Sequence, residues 1–175
     1  SQDTHWLALE LQGSSSVEVR NVLTGQHLCD LDATIITGCL ALSPDGQHLV
    51  TSGWQDPNIN VWDVSTQDKL ISFPGHNLVL RHLILSADGR RIATSTIGQQ
   101  PIKLWDTSSW EQVGSLMGRP DVHLRAHAFL SDGNTIAAIE EDLEDATVTY
   151  RLWQAPSWEE IEAAEAVDNG GSIGG

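Results

Sequence analysis

LSPDGQHLVTSGWQDPNINVWD, Leu42 to Asp63, is followed further along the chain by LSADGRRIATSTIGQQPIKLWD, Leu85 to Asp106. The two align without a gap: Asp45-Gly46 falls on Asp88-Gly89, Ser52 on Ser95, and Trp62-Asp63 on Trp105-Asp106, 43 residues later. A third copy, FLSDGNTIAAIEEDLEDATVTYRLWQ, runs from Phe129 to Gln154. It keeps the turn at Asp132-Gly133 and the tryptophan at Trp153, and its four extra residues belong in its middle hairpin. A worn copy opens the chain, with Ser1-Gln2-Asp3 lying 42 residues before Ser43-Pro44-Asp45 and Val19-Arg20-Asn21 the same distance before Val61-Trp62-Asp63. Four copies in phase make this a repeat protein.

Within each copy the apolar residues alternate. Val17 and Val19, Ile59 and Val61, Ile102 and Leu104, and Tyr150 and Leu152 precede the four tryptophan positions. A period of two puts one strand face against a core. Asp-Gly supplies a tight turn between strands. A second turn follows each tryptophan position, with Thr24, Thr66, Ser109 and Ser157 in the same phase, and then an outer strand such as Lys69 to Phe73. Four short strands repeating at 43 residues match a propeller blade, a sheet that covers its faces by radial stacking. The expected fold is all-β, about three and a half to four four-stranded blades in an incomplete or half propeller, with blades over 1–156: a partial blade at 1–32, then 33–75, 76–118 and 119–156. Residues 157–175 stand apart. Ser157 and Glu160 read as a capping box, and the Glu- and Ala-rich run predicts a short helix from Trp158 to Ala166, followed by a flexible tail. The opening copy lacks its innermost strand, so the expectation is a ring completed by upstream blades of the same protein or by self-association.

These motifs resemble the WD-repeat family of β-propellers over nearly the whole chain, to about Trp158. The resemblance implies a buried relay of Trp, Ser or Thr, His and Asp in each blade. A buried indole N–H needs an acceptor, and the hydroxyl and imidazole then need partners in turn. Carried over residue by residue, the relay is Ser52, Asp56 and Trp62 in one blade, with Ala33 where a histidine belongs. In the next it is His76, Ser95 and Trp105, with Gln99 in place of the aspartate. The third keeps Trp153 and has Arg119 after Gly118, while the opening copy, with Glu10, Ser14 and Arg20, has no relay. The run from Ala155 to Ala166 is also similar to the closing segment of large bacterial WD-repeat proteins in which the propeller follows a kinase or another signalling domain.

Bulk properties narrow the function. A net charge of −15 leaves no basic footprint for nucleic acid or an anionic membrane surface and favours basic partners. No run of eighteen apolar residues predicts a membrane span, and SQDTHWLALE lacks the basic start of a signal peptide. Cys29 and Cys39 allow a cystine but read better as two buried thiols on different strands, which leans toward a reducing, cytoplasmic setting.

No catalytic residue, cofactor or metal site is expected. The chain has no nucleophile elbow, phosphate loop or His-Glu-x-x-His motif, and His123 and His127 have no third ligand in phase. The innermost strands, Gly38–Leu42 and Leu80–Leu85, are mostly apolar, which disfavours a propeller enzyme. By resemblance the chain is a non-enzymatic interaction scaffold that binds a protein or peptide with one face; the alternative is a regulatory or sensory propeller of a larger bacterial signalling enzyme such as a Ser/Thr kinase. The expected face carries Trp54, Gln55, Ile97, Gln99, Gln100 and Arg119, together with the acidic insert Glu140, Glu141 and Asp142 as a recognition loop for a basic partner.

Overall fold

The computed structural model describes residues 6–10, 16–32, 37–53 and 57–154. These form fourteen strands in four antiparallel sheets. The first sheet holds β1 (Trp6–Glu10), β2 (Ser16–Asn21) and β3 (His27–Asp32). The second is β4 (Thr37–Leu42), β5 (His48–Gly53), β6 (Asn58–Asp63) and β7 (Lys69–Pro74), each strand beside the one before it. The third, β8 (Leu80–Leu85), β9 (Arg91–Thr96), β10 (Ile102–Asp106) and β11 (Gln112–Leu116), repeats that order. The last holds β12 (Val122–Phe129), β13 (Thr135–Asp142) and β14 (Val148–Gln154). The registers match across sheets: Trp62 lies opposite Leu49, Trp105 opposite Ile92 and Trp153 opposite Ile136.

Two turns recur, and each shows why its residues are there. In the first, the Ser43 hydroxyl donates to Asp45, Asp45 Oδ1 accepts the Gln47 N–H, and Gly46 takes a left-handed φ of 73°. Ser86, Asp88 and Gly89 repeat it. In the second, the aspartate of Trp-Asp is the organising residue. Asp63 Oδ1 accepts the N–H groups of Ser65 and Thr66 at 2.8 Å, and Asp106 and Asn21 do the same in their sheets. The pair therefore joins a core residue to a turn cap. The hydrogen bonds from Ser65 and Thr66 hold the Asp63 carboxyl below its usual range. Burial pushes Asp106 up, but bonds from Ser108 and Ser109 outweigh it and leave it lowered.

The apolar residues collect between sheets. Val17, Val19, Cys29 and Leu31 meet Leu49 and Val64. Ile59 and Val61 meet Leu80, Leu83, Ile92 and Trp105. Ile102 and Leu104 meet Leu124, Ala126, Ile136 and Ala138. Among the described residues these are three seams, each joining two consecutive sheets. Both cysteines are free thiols, and burial pushes Cys39 up to about 12.

One expectation changes. The acidic insert is not a loop: Glu140, Glu141 and Asp142 belong to β13, and the extra residues lengthen the β13–β14 hairpin. Its turn is the segment after Asp142, with Ala146 at φ 58°. The helix expected at 158–166 lies outside the described residues, as do Trp54, Gln55 and Asp56.

Candidate functional site

The third sheet contains a buried polar relay. Trp105 Nε1 donates to Thr94 Oγ1 at 2.9 Å, and Thr94 Oγ1 lies 2.9 Å from His76 Nε2. On the far side of the ring, His76 Nδ1 lies 3.1 Å from Gln100 Oε1. A glutamine carbonyl can only accept, so Nδ1 carries the proton and Nε2 accepts from the threonine hydroxyl. Burial pushes the His76 pKa down, and Lys103 adds to that against the bonds from Gln100 and Thr94. A neutral imidazole suits this chain of bonds, since among the described residues its partners are an amide and a hydroxyl.

The relay corrects the sequence reading at two positions. The hydroxyl is Thr94, not Ser95, and the terminal acceptor is Gln100, not Gln99. The same shift occurs in the second sheet, where Trp62 Nε1 donates to Thr51 at 2.9 Å rather than to Ser52. The cause is strand parity. Thr94 and Ile92 share one face of β9, and Ile92 is the register partner of Trp105. Ser95 points the other way, and its Oγ accepts the Ala126 N–H at 3.0 Å, tying β9 to the next sheet. Gln99 instead donates to Asp121 at 3.3 Å.

In the last sheet a different device replaces the relay. Ala138 occupies the position of Thr94 and offers Trp153 no hydroxyl. Two residues on, on the same face, Glu140 is fully buried. Its Oε2 accepts from Arg151 Nε at 2.8 Å and Arg119 Nε at 3.2 Å, and its Oε1 accepts the Arg119 backbone N–H. Glu140 is therefore an internal anchor, not a contact for a basic partner: the strand's alternation turns it inward, where two guanidiniums neutralise it. Glu141 pairs with Arg125, and Asp142 Oδ1 caps the Glu144 N–H at 2.9 Å.

The loops after β9 and β13 and those before β8 and β12 lie at one end of the sheets. Here the structure gathers Ile97, Glu141 and Asp142 around one open pocket of about 670 Å³ between the third and fourth sheets. Arg81, His82, Thr96, His123, Arg125, Leu143 and Ala146 complete its wall. Gln99 and Arg119 are exposed on neighbouring loops, whereas Gln100 is committed to His76. The sequence reading missed Arg81, His82, Arg125 and Leu143. The signal for Arg81, His82 and Arg125 was polar residues interrupting otherwise apolar innermost strands, and that for Leu143 a lone apolar residue inside the acidic insert.

Glu18, His27 and Asp30 in the first sheet bring ligand atoms within 4.8 Å of one another. Arg20 already occupies Glu18 Oε1 at 2.5 Å, however, and His27 and Asp30 are largely exposed. No helix among the described residues is long and apolar enough to cross a membrane.

The family model of the WD domain, G-beta repeat, matches residues 20–63. Among solved structures, the chain is similar to Kuenenia stuttgartiensis hydrazine synthase, with a TM-score of 0.70 and 18% identity over 88% of this chain and 44% of that one. It is also similar to a chain of the mitotic checkpoint complex, with a TM-score of 0.65 and 22% identity over 89% of this chain and 46% of that one. It thus spans less than half the length of either, and at such identities the likeness shows the fold alone. No curated protein matches it by sequence. The four sheets with their repeated registers, the Trp-Asp turns and the repeat matched at residues 20–63 together show the fold to be that of WD-repeat β-propeller blades.

Proposed function

We propose that the chain is a non-enzymatic protein-interaction module that holds a protein or peptide at the end of the blades carrying the β9–β10 and β13–β14 loops. The observation that supports this most directly is the pocket between the third and fourth sheets, walled on one side by Ile97, Leu143 and Ala146. Ile97 and Leu143 are about half exposed, as is Leu78 on the loop before β8. Apolar side chains around a concave site, rimmed by polar groups, suit a peptide anchor. Ring completion belongs to the same proposal. Tyr150 and Leu152 are 72% and 66% exposed, whereas their counterparts Ile59, Val61, Ile102 and Leu104 are buried by the following sheet. That bare face suits a further blade of the same protein or of a second copy.

The test is a selection of binding peptides from a displayed random library, followed by affinity measurement on Ile97→Ser and Leu143→Ser variants. A Leu23→Ser variant at the other end of the sheets serves as control. Binding should fall about tenfold in the first two and stay unchanged in the control, as expected for loss of an apolar anchor. Undiminished binding to both pocket variants would sink the assignment of this face.

A further inference from the structure

Each seam joins the rear face of one sheet to the front face of the next, and the repeat fixes what each face brings. The rear face brings an aliphatic residue three positions before the tryptophan position: Val17, Ile59 and Ile102. The front face of the following sheet brings the tryptophan itself: Trp62, Trp105 and Trp153, each packed in the same cluster as that aliphatic residue. At the two ends of the chain the chemistry is exchanged. The last sheet has Tyr150 at the aliphatic position, and the first has Arg20 at the tryptophan position. Arg20 lies opposite Leu7 as Trp62 lies opposite Leu49. Among the described residues no sheet covers either end face. Leu7 is 43% exposed where Leu49 and Ile92 are 0%, and Leu9 on the same face is also exposed. Tyr150 and Leu152 are the open residues of the other end, with Val148 beside them.

An aromatic ring at one end and a guanidinium at the other form a matched pair. Arg20 Nε donates to Glu18 Oε1 at 2.5 Å. That bond sets the plane of the guanidinium and leaves its flat face open to a ring. We propose that the two end faces meet in a second copy of this chain, head to tail, with Tyr150 and Leu152 of each copy packed on Leu7, Leu9 and Arg20 of the other. Each face then buries against the kind of face its counterparts already meet inside the chain, with the aromatic and the polar partner exchanged. Two copies of four sheets close as a ring of eight, within the range of about four to eight blades at which propellers close. A head-to-tail contact that closes at two copies has no free end from which a filament could grow. The inference rests on the reading of the bare faces as unfilled seams. It is independent of the peptide pocket, which lies at the junction of the third and fourth sheets.

Sedimentation velocity of the whole chain over a concentration series reads the pairing. The expected species has twice the chain mass of 19.0 kDa and grows no larger at the highest concentration. Leu7→Asp spoils one end face and Tyr150→Asp the other, both at exposed positions. Each variant alone should sediment as a single chain. An equimolar mixture should regain a pair, because one intact junction remains between unlike copies, and that recovery also shows both variants to be folded. Tyr150→Leu keeps apolar bulk but removes the ring, and should weaken pairing about tenfold over the two junctions. A single chain at every concentration, a Leu7→Asp or Tyr150→Asp variant that still pairs by itself, or a mixture that stays single overturns the proposal. Peptide binding at the pocket, read on Ile97→Ser, does not depend on pairing, so the two readings fail separately.

Discussion

Replacing Thr94 with valine keeps the side chain's shape and deletes one oxygen, so it isolates the relay. Thr94 is 0% exposed, His76 4% and Trp105 5%, so water cannot substitute for the lost hydroxyl. The change orphans two groups at once: the Trp105 indole N–H and His76 Nε2. At about 1–3 kcal/mol for each buried polar group left unpaired, the cost is about 3 kcal/mol, or a drop of roughly 6–12 °C in Tm for a chain of this size. Thr51→Val removes the same kind of oxygen from the second sheet but orphans only the Trp62 indole, which is half-buried. Its cost should be about 1 kcal/mol. Ser95→Ala, adjacent to Thr94, strips the Ala126 N–H of its acceptor and should fall between the two. Urea titration followed by both tryptophan fluorescence and circular dichroism gives the three values, provided the m-values agree. A Thr94→Val cost below 1 kcal/mol, or one no larger than that of Thr51→Val, would refute the idea that one threonine serves both rings.

Acid should weaken the fold in two stages. His76 and His82 lie below the ordinary value of 6.5 when folded, so the unfolded chain takes up protons first; their contribution is complete above pH 6.5 and is lost as the pH falls toward their lowered values. The lowered carboxyls Asp45, Asp63, Asp106 and Asp132 act later, losing their contribution as the pH falls below 3.8. A Tm that stays flat between pH 7 and 5, or an equally steep fall in a His76→Asn, His82→Asn double variant, contradicts the first stage. In the last sheet, Arg119→Ala with Arg151→Ala should cost about 3–5 kcal/mol by stranding buried Glu140, and Glu140→Gln clearly less, because the half-exposed arginines can turn to water. The reverse order in thermal melts would remove Glu140 as the anchor. Gly46→Ala should destabilise more than Gly25→Ala. Both glycines have positive φ, but a Cβ at Gly46 would lie 2.5 Å from the Trp6 ring, whereas at Gly25 it meets nothing. Equal melting temperatures for the two variants would discard that contact.

The blade pattern was legible because Asp-Gly turns, alternating valines and isoleucines and the Trp-Asp pairs each have a local cause. The relay was harder to read. Thr51-Ser52 and Thr94-Ser95 both offer two adjacent hydroxyls, and alignment alone does not say which faces the indole. Parity does: counting back across the hairpin from Trp105 to Ile92 and on by two reaches Thr94. The same count takes Glu140 from Ile136 and Ala138 onto the buried face, but a run of five acidic residues in six reads as a solvated loop until its strand length is known. The pocket was least legible, since Arg81 and Arg125 meet only when β8 and β12, more than forty residues apart, lie side by side.

The three seams have a kinetic consequence. Sheets joined only to their neighbours open like the leaves of a fan, the outermost first, and each opening breaks one junction. The relay of Trp105, Thr94, His76 and Gln100 sits in a sheet gripped on both sides, and its amides should be among the slowest to exchange with solvent. The pocket sits on the junction of that sheet with the last described one, whose other face is bare. One wall of the pocket thus belongs to a sheet gripped on both sides and the other to a sheet gripped, among the described residues, on one, so the two walls should differ in how readily they exchange with solvent.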